Sequence, residues 1–537
     1  MKLKLYKKIE ENVFIKYSIN YLNDCKNRNK LFSLFQTDLQ KLKHPKNLIE
    51  FEIKTISKIT PWVSNIMKIC EKSNYKFIKN ISKSYVYLVK DYQEGIKLFY
   101  QNHDRMTERY SEVHNVENTS FKEENLDIDY LNEKYGLSLT DVDKKYFSGN
   151  LKNISNPLFV LLDLSQSNSE HCRHHFFNGK IYLDGVDTGK TLFELVKQPL
   201  LNKKNKDFSL VAFSDNSSVI EGYSVTNYFP FSKNIYRPEK IKYNFVLTAE
   251  THNFPTGIAP FQGAATGIGG RIRDVQATGI GALPICSVAG YSVGDIVADI
   301  IEYPDNMAKP RDILLKASDG ASDYGNKFGE PIVLGFTRSF RNDERERIEW
   351  IKPIMFSAGL GLIRDEHNYK KEIKEGMLIC KIGGPAYKIG LGGGSASSRI
   401  SDKKNSELDF SAVQRDDPEM EQKMNKVLRH FSYMGNENPI ISIHDQGAGG
   451  NGNVLKEIIE DKGAMIDIGK ITLGDTTMND IEIWLSEYQE SNAILIEENK
   501  LSIVQQICNR ENVQLDVVGH ITGNGKSEGV VPWCKIY

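Results

Sequence analysis

The chain has 537 residues, 40% apolar and 26% charged, with 69 basic against 70 acidic side chains and a net charge of −1. A length of this order supports roughly three or four domains with their own cores, and the balanced charge gives no drive toward nucleic acid or an anionic membrane as partner. No apolar run reaches the roughly 18 residues of a membrane-spanning helix, and MKLKLYKKIEENVF lacks the apolar core of a signal peptide. The seven scattered cysteines form no CxxC pair, which points to a reducing cytoplasmic compartment and away from a disulfide framework or structural zinc.

In chain order, residues 1–115 are rich in Lys, Asn, Ile and Tyr and poor in Gly and Pro. IEFEIKTISKI and KSYVYLVKDY read as mixed strand and helix, one small α+β domain. The polar stretch 111–127 reads as a linker. DIDYLNEKYG and LTDVDKKYFSGN read as short helices, and LFVLLDLSQ as an apolar strand leading into SNSEHCRHHFFNG. From about 240, short apolar runs alternate with Gly-rich turns, the texture of α/β or α+β architecture with backbone close to ligands. A further break is expected near 370, at EHNYKKEIKEG.

Four constellations bear on chemistry. Glu250-Thr251-His252-Asn253 follows the apolar Phe245–Leu247. As a strand it would point Glu250 and His252 to one face, a carboxylate for Mg²⁺ beside an imidazole for proton transfer; a half-buried strand with polar ends is the plain alternative. The second is the glycine-rich Gly263-Ala264-Ala265-Thr266-Gly267-Ile268-Gly269-Gly270-Arg271-Ile272-Arg273-Asp274. It reads as a loop whose amides approach phosphate, with Arg273 as a phosphate fork and Asp274 as a metal ligand. The third, Ser169 to His175, packs three histidines and Cys172 together with a spacing wrong for zinc, leaving a catalytic or substrate-facing histidine or a surface cluster. The fourth, His444-Asp445-Gln446 after the apolar PIISI, is a metal or phosphate position or a tight turn. Gly185–Thr191 imitates a phosphate-binding loop, but it is one residue short and no strand enters it; it reads as the loop opening the helix TLFELVKQ.

Taken together, QSNSEHCRHHFFNGKIYLDG, DNSSVIEG, AETHNFPTGIAPFQGAATGIGGRIRD, ASDYGNKFGEP, EWIKPIMFSAGLG, GLGGGSASS, LDFSAVQRDDPEMEQKMNKV, HDQGAGGNGNVLKE and EIWLSEYQESNA resemble the phosphoribosylformylglycinamidine synthase family, continuously from about 100 to 525. The resemblance implies an α+β chain. A PurS-like domain would occupy 1–115 and a helical linker domain bearing EHCRH 125–180. One aminoimidazole ribonucleotide synthetase-like half would follow, as α/β subdomains 181–370 and 371–537. It implies a Mg²⁺- and ATP-dependent ligase of purine biosynthesis, converting formylglycinamide ribonucleotide to formylglycinamidine ribonucleotide with glutamine-derived ammonia.

Carried over by position, His171 and His252 are the catalytic histidines, with His252 the proton acceptor. Glu250, Asp274 and Asp445 match Mg²⁺ positions. Thr251, His252, Asn253, Arg273, Gln414, Glu487, Tyr488 and Gln489 match substrate contacts. Gly263 to Asp274 with Leu334, Gly335 and Phe336 match nucleotide contacts. Phe254 stands where many bacterial members carry a second histidine, a mark of the eukaryotic type. Cys172 reads as packing. The family's second synthetase half and its glutaminase have no counterpart in these motifs, so a companion chain supplying both, or a homodimer, is expected. A non-catalytic binding or assembly subunit, or an inactive fragment, is the alternative.

Overall fold

The structure is a computed structural model. It describes residues 1–537 except 23–24, 56–59, 74, 104–106, 111–126, 138, 152–155, 168, 202–207, 232–234, 298–302, 305, 399–405, 461, 526, 532–533 and 537. The expected linker at 111–127 falls almost wholly outside the described residues. Two units emerge, Met1–Phe121 with Gly474–Thr477, and Lys122–Leu473 with Met478–Tyr537.

The first unit is a five-stranded antiparallel sheet carrying helices. Its strands are β1 (Lys2–Glu10), β2 (Val13–Tyr21), β3 (Ile49–Thr55), β4 (Ile78–Val89) and β5 (Glu108–Arg109), in the order β1-β2-β4-β3-β5. Its helices are α1 (Cys25–Phe35), α2 (Pro61–Lys72) and α3 (Tyr92–Asn102). IEFEIKT alternates as a strand should: Phe51 and Ile53 are buried, and Glu52 between them pairs with Lys16 at 2.7 Å. Thr60 opens α2 by accepting from the Val63 N–H, with Pro61 in the first helical position.

The second unit begins with α4 (Ile128–Tyr135), α5 (Asp141–Asn150), α6 (Pro157–Ser167) and α7 (Glu170–Arg173). The LFVLLDLSQ run expected as a strand is helix α6. Pro157 starts it, and Leu158, Leu161 and Leu162 fall on one buried face at helical spacing. Polar anchors then fix it: Asp163 accepts from Lys456 Nζ at 2.8 Å and from Trp484 Nε1 at 2.9 Å. An apolar run without alternation is ambiguous between helix and strand, and these distant partners decide it. The phosphate-loop look-alike resolves into a hairpin, β6 (Tyr182–Leu183) and β7 (Val186–Asp187), turning on Asp184 and Gly185 at positive φ. It is followed by α8 (Leu192–Leu201), opened by a reciprocal cap between Thr191 and Glu194 (2.8 and 3.1 Å).

A six-stranded sheet follows, ordered β12-β11-β15-β10-β9-β8. Its members are β8 (Ser209–Val211), β9 (Ser218–Phe231), β10 (Ile235–Thr251), β11 (Leu283–Val293), β12 (Ile332–Ser339) and β15 (Ile354–Arg364); the hairpin β13 (Arg341–Asn342)–β14 (Ile348–Glu349) stands apart. Only the β11–β12 pair is parallel. Between β10 and β11 come α9 (Asn253–Ile258) and α10 (Pro260–Gln276), and between β11 and β12 comes α11 (Pro310–Phe328). Helices α10 and α11 bury Ala264, Ala265, Ile268, Ile272, Ala317 and Tyr324 against the sheet. Tyr223 and Tyr228 on β9, Tyr236 on β10 and Leu334 on β12 are exposed.

The seven-stranded sheet β17-β19-β16-β20-β18-β21-β22 completes the unit. It comprises β16 (Leu378–Gly383), β17 (Ile440–Asp445), β18 (Ala464–Asp467), β19 (Ser491–Ile496), β20 (Gln514–Ile521), β21 (Ser527–Val531) and β22 (Cys534–Ile536), interleaved with α12 (Gly393–Ser398), α13 (Ser406–Ala412), α14 (Pro418–Tyr433), α15 (Gly450–Ile459), α16 (Asp480–Leu485) and α17 (Leu501–Glu511). Its core takes in Ala277 and Ile280, just past the end of α10, so one apolar seam joins both sheets. Among the described residues no helix is long and apolar enough to cross a membrane, and the five cysteines described are free.

Close packing explains the glycines of α10. A Cβ on Gly269 would stand 2.6 Å from the Tyr324 ring, and one on Gly263 would stand 2.4 Å from the Pro255 backbone. Gly269→Ala sets a helix-propensity gain of about 1 kcal/mol against an overpacking cost of about 1–3 kcal/mol. Tyr324 cannot swing aside, since its hydroxyl is held between Glu421 and Glu490. We expect net destabilisation by about 1–2 kcal/mol in urea unfolding; a stabilised variant would show that Tyr324 yields.

Candidate active site

Strand β10 delivers Glu250 and Thr251, then stops. His252 has left the strand (φ −127°, ψ 62°) and precedes α9, so Glu250 and His252 do not share a strand face as expected. The His252 N–H donates to the Met355 carbonyl at 2.9 Å, and the Met355 N–H donates to Asn253 Oδ1 at 3.0 Å, which pins this corner to β15. His252 Nδ1 lies 2.6 Å from the Gly263 carbonyl. A carbonyl only accepts, so Nδ1 carries the proton and Nε2 the lone pair.

Burial pulls the His252 pKa down to about 4; the Gly263 hydrogen bond opposes this, and His171 and Arg273 add to the lowering. The His171 pKa is also lowered, by burial first and then by His174 and Lys352. His171, on α7, and His252 therefore sense one another across a long stretch of sequence. His171 and Glu250 are open to solvent by surface area yet surrounded by protein on most sides. Both descriptions hold for side chains lining an open cleft, and the crowding is what acts on their protons. Burial pushes the Cys172 thiol up to about 11, so it is no thiolate nucleophile.

Glu250, Asp274 and Asp445 form one electrostatic group. Burial raises all three pKa values. Asp445 raises Glu250, and Asp445 and Glu250 together raise Asp274. Asp445 ends β17 at its pairing with Asn492, and Gly449 and Gly450 then turn the chain at φ 78° and 58° into α15. Asn216 Nδ2 donates to Asp445 Oδ1. Lys370 pairs with Asp215 at 3.0 Å and reaches His444 Nε2 at 2.8 Å. A cavity of about 740 Å³ opens here, with Asp215, Asn216, Thr248 and Glu250 on one side and Val196, Leu200, Phe208 and Phe213 on the other. No group of three or more His, Cys, Asp or Glu side chains among the described residues forms a ready ligand set, and none does at the EHCRHH cluster. The carboxylate trio still suits Mg²⁺, which takes one or two carboxylates and completes its shell with water and phosphate.

Glu487, Tyr488 and Gln489 lie in the loop between α16 and β19, and Gln414 follows α13; neither segment is regular. Glu487 is fully buried and accepts from the Gly394 and Gly449 N–H groups at 2.9 Å each, and from Gln414 Nε2. Burial raises its pKa to about 7, against those hydrogen bonds. Gln166 clasps Ser395 through both ends of its amide, at 2.6 and 3.1 Å. The EHC, GLGGGSASS, HDQGAGG and SEYQE segments thus close on one another. Tyr488 turns inward, its hydroxyl 3.2 Å from Asn451 Oδ1.

Two expectations need correction. Gly263–Asp274 is the interior of α10, not a loop, and amides within a helix are taken by carbonyls four residues back. Its glycines serve helix packing. Arg273 is not a free phosphate fork. Its guanidinium is 0% exposed and donates to Glu421 at 3.0 Å and to Gln489, with Glu490 at 3.7 Å. Arg271 is likewise closed on Glu330. Leu334, Gly335 and Phe336 are exposed on edge strand β12, with Phe336 packed on Phe356 at 5.7 Å. Sequence reading missed Glu421, Glu490, Tyr324, Gln166, Asn216 and Lys370. All act through contacts to residues far away in sequence; all but Lys370 lie inside the quoted motifs, which gave no sign of those contacts.

Residues 233–363 match the family model of AIR synthase related protein, N-terminal domain, and residues 374–532 the C-terminal domain of the same family. The chain is similar to the phosphoribosylformylglycinamidine synthase of Dictyostelium discoideum (44% identity over 87% of this chain and 37% of the relative). It is also similar to that of Homo sapiens (40% identity, 87% and 37%). A solved structure, Thermotoga maritima PurL complexed with FGAR, is 23% identical, with a TM-score of 0.48 and coverage of 70% of this chain and 52% of that one. The chain spans about 37% of the length of the curated relatives it matches.

Proposed function

We propose, from the premise that residues 233–363 and 374–532 are the two AIR synthase-related domains, that this chain is a synthetase component of the phosphoribosylformylglycinamidine synthase reaction. ATP phosphorylates the amide oxygen of formylglycinamide ribonucleotide, and ammonia from glutamine displaces the phosphate. The observation that carries this reading is the closeness of His171 to His252, and of Glu250 to Asp274 and Asp445, from segments far apart in sequence. His252 Nε2 accepts the proton of the attacking ammonia, while Nδ1 is held by Gly263. His171 stands near His252. Glu250, Asp274 and Asp445 would hold Mg²⁺, which supplies charge neutralisation for the phosphates. Of the nucleotide segment Gly263–Asp274, Asp274 is the part this reading turns toward ATP, with exposed Leu334–Phe336 as a second contact. Thr251, Asn253, Gln414 and Glu487–Gln489 frame the substrate side, the buried ones by holding the loop that carries them. Residues 1–115 serve as a PurS-like domain, and the EHCRH helices as its linker to the synthetase half, in the cytosol.

Exposed apolar side chains on the strands of the six-stranded sheet (Tyr223, Tyr228, Tyr236 and Leu334) support a partner, either a companion synthetase half or a second copy. The decisive experiment mixes the purified chain with MgATP, substrate and ammonium, alone and with the companion half. Turnover in the mixture supports the reading, and none in any combination removes it. Mg²⁺ should also stabilise the chain by RT ln(1 + [L]/Kd) and so raise its melting temperature, and Asp445→Asn should abolish that rise; a variant that still responds like the parent would exclude Asp445 as a ligand.

A further inference from the structure

Lys352, which lacks an assigned role, stands where three of the motif segments meet. It lies two residues before β15, and its Nζ donates to the Ser397 carbonyl of GLGGGSASS at 3.3 Å. The same Nζ lies 5.9 Å from the ring centroid of Phe254, in ETHNFP. Its charge is also one of those bearing on His171, in SEHCRH. Pro353, next in sequence, packs under α9, where a Cβ on Gly257 would come within 3.1 Å of it. The Lys352 side chain is exposed to solvent.

Four other cations of this unit are committed to carboxylates: Arg273 to Glu421, Arg271 to Glu330, Lys370 to Asp215 and Lys456 to Asp163. No carboxylate among the described residues pairs with Lys352; a backbone carbonyl and an aromatic face are its recorded partners. A flexible ammonium held by one carbonyl keeps two donors for an incoming anion. The Glu250, Asp274 and Asp445 carboxylates repel any phosphate that arrives without a metal. A phosphorylated substrate therefore gains from a cation, and Lys352 supplies one beside His171.

We propose that Lys352 Nζ contacts an anionic phosphate oxygen of the substrate, either of the ribonucleotide phosphomonoester or of the phosphoryl group in transfer. This rests on the proposed synthetase function. The test is steady-state kinetics of Lys352→Ala and Lys352→Arg in the active assembly, with the ribonucleotide and with its dephosphorylated riboside. A phosphomonoester contact raises KM for the ribonucleotide at least tenfold in the Ala variant, leaves the riboside unaffected, and is partly restored by Arg. A contact to the transferring phosphoryl lowers kcat at least tenfold for both substrates. Both parameters unchanged within twofold, in a variant with the parent melting temperature, would overturn the assignment. So would a defect that Lys352→Arg shares in full along with a lowered melting temperature, because that is a packing role. In Lys352→Met, loss of the positive charge should move the His171 titration midpoint upward by NMR. Failure of the parent assembly to turn over the ribonucleotide at all instead sinks the synthetase reading, and is seen before any variant is made.

Discussion

Arg273→Met should cost about 3–5 kcal/mol of folding stability, the scale for breaking a buried ion pair from one side. The parent guanidinium meets Glu421 through one terminal nitrogen and Gln489 through the other, with Glu490 close by. The Tyr324 hydroxyl lies within hydrogen-bond reach of both glutamates. Methionine fills similar volume and leaves two buried carboxyls without a cation. Lysine should not rescue, since one ammonium cannot span two partners set for a planar fork. The deficit depends on pH. Burial already lifts Glu421 to about 7 and Glu490 to about 8, against the pull of Arg273. A folded carboxyl pKa above the unfolded value means the folded state binds more protons, so stability falls as pH rises from the unfolded carboxyl pKa of roughly 4.3 to the folded pKa. Removing Arg273 raises both further, so the loss should be small near pH 5 and grow toward pH 8. Urea midpoints of parent and variant at those two pH values check this. Adding Glu421→Gln and Glu490→Gln should recover most of the loss, because a neutral buried network needs no cation; no recovery would mean that side-chain shape, rather than charge, holds this junction.

This network also marks where sequence reading stops. Arg273 stood out because a glycine-rich stretch ending in Arg-Asp looks like a phosphate loop. What decides its role is a glutamate on α14 and a loop after α16, neither of which neighbours it in sequence. The same holds for LFVLLDLSQ: its apolar run suits a strand or a helix, and Lys456 and Trp484 reach Asp163 only once the chain has folded. By contrast, IEFEIKT is strand by its own alternation, and DIDYLNEKYG and LTDVDKKYFSGN are helices by their caps, Asp127 and Thr140. The Asp445 turn was legible too, because an apolar strand followed by glycines leaves few conformations. At the site, ETHN, EHC and HDQGAGG marked segments that the fold brings near one another. They did not announce that the strand would release His252 one residue early, or that Gly263 would offer its carbonyl to the imidazole.

That carbonyl sets the second large effect. His252→Ala should lower turnover of the reconstituted enzyme by about 10²-fold or more, within the range for a positioned proton acceptor. Two features fix the magnitude. With Nδ1 donating to Gly263 at 2.6 Å, the ring presents Nε2 in one orientation, which favours a large loss when it is removed. With the pKa drawn down to about 4 by burial, the base is weak, which places the effect at the lower end of that range. The same value fixes the pH profile. His252 is already deprotonated well below the ordinary histidine midpoint, so kcat/KM should show no acid limb from this residue between pH 6 and 7. The folded state also binds fewer protons than the unfolded one in the interval from about 4 to 6.5, so His252 favours folding above that interval and loses the advantage as pH falls through it. His252→Asn, which offers an amide in place of the imidazole, can keep the Gly263 contact but cannot accept a proton, so it should match Ala in turnover while melting closer to the parent. An Asn variant that turned over at the parental rate would remove His252 from proton transfer and leave it the task of joining β10 to α10.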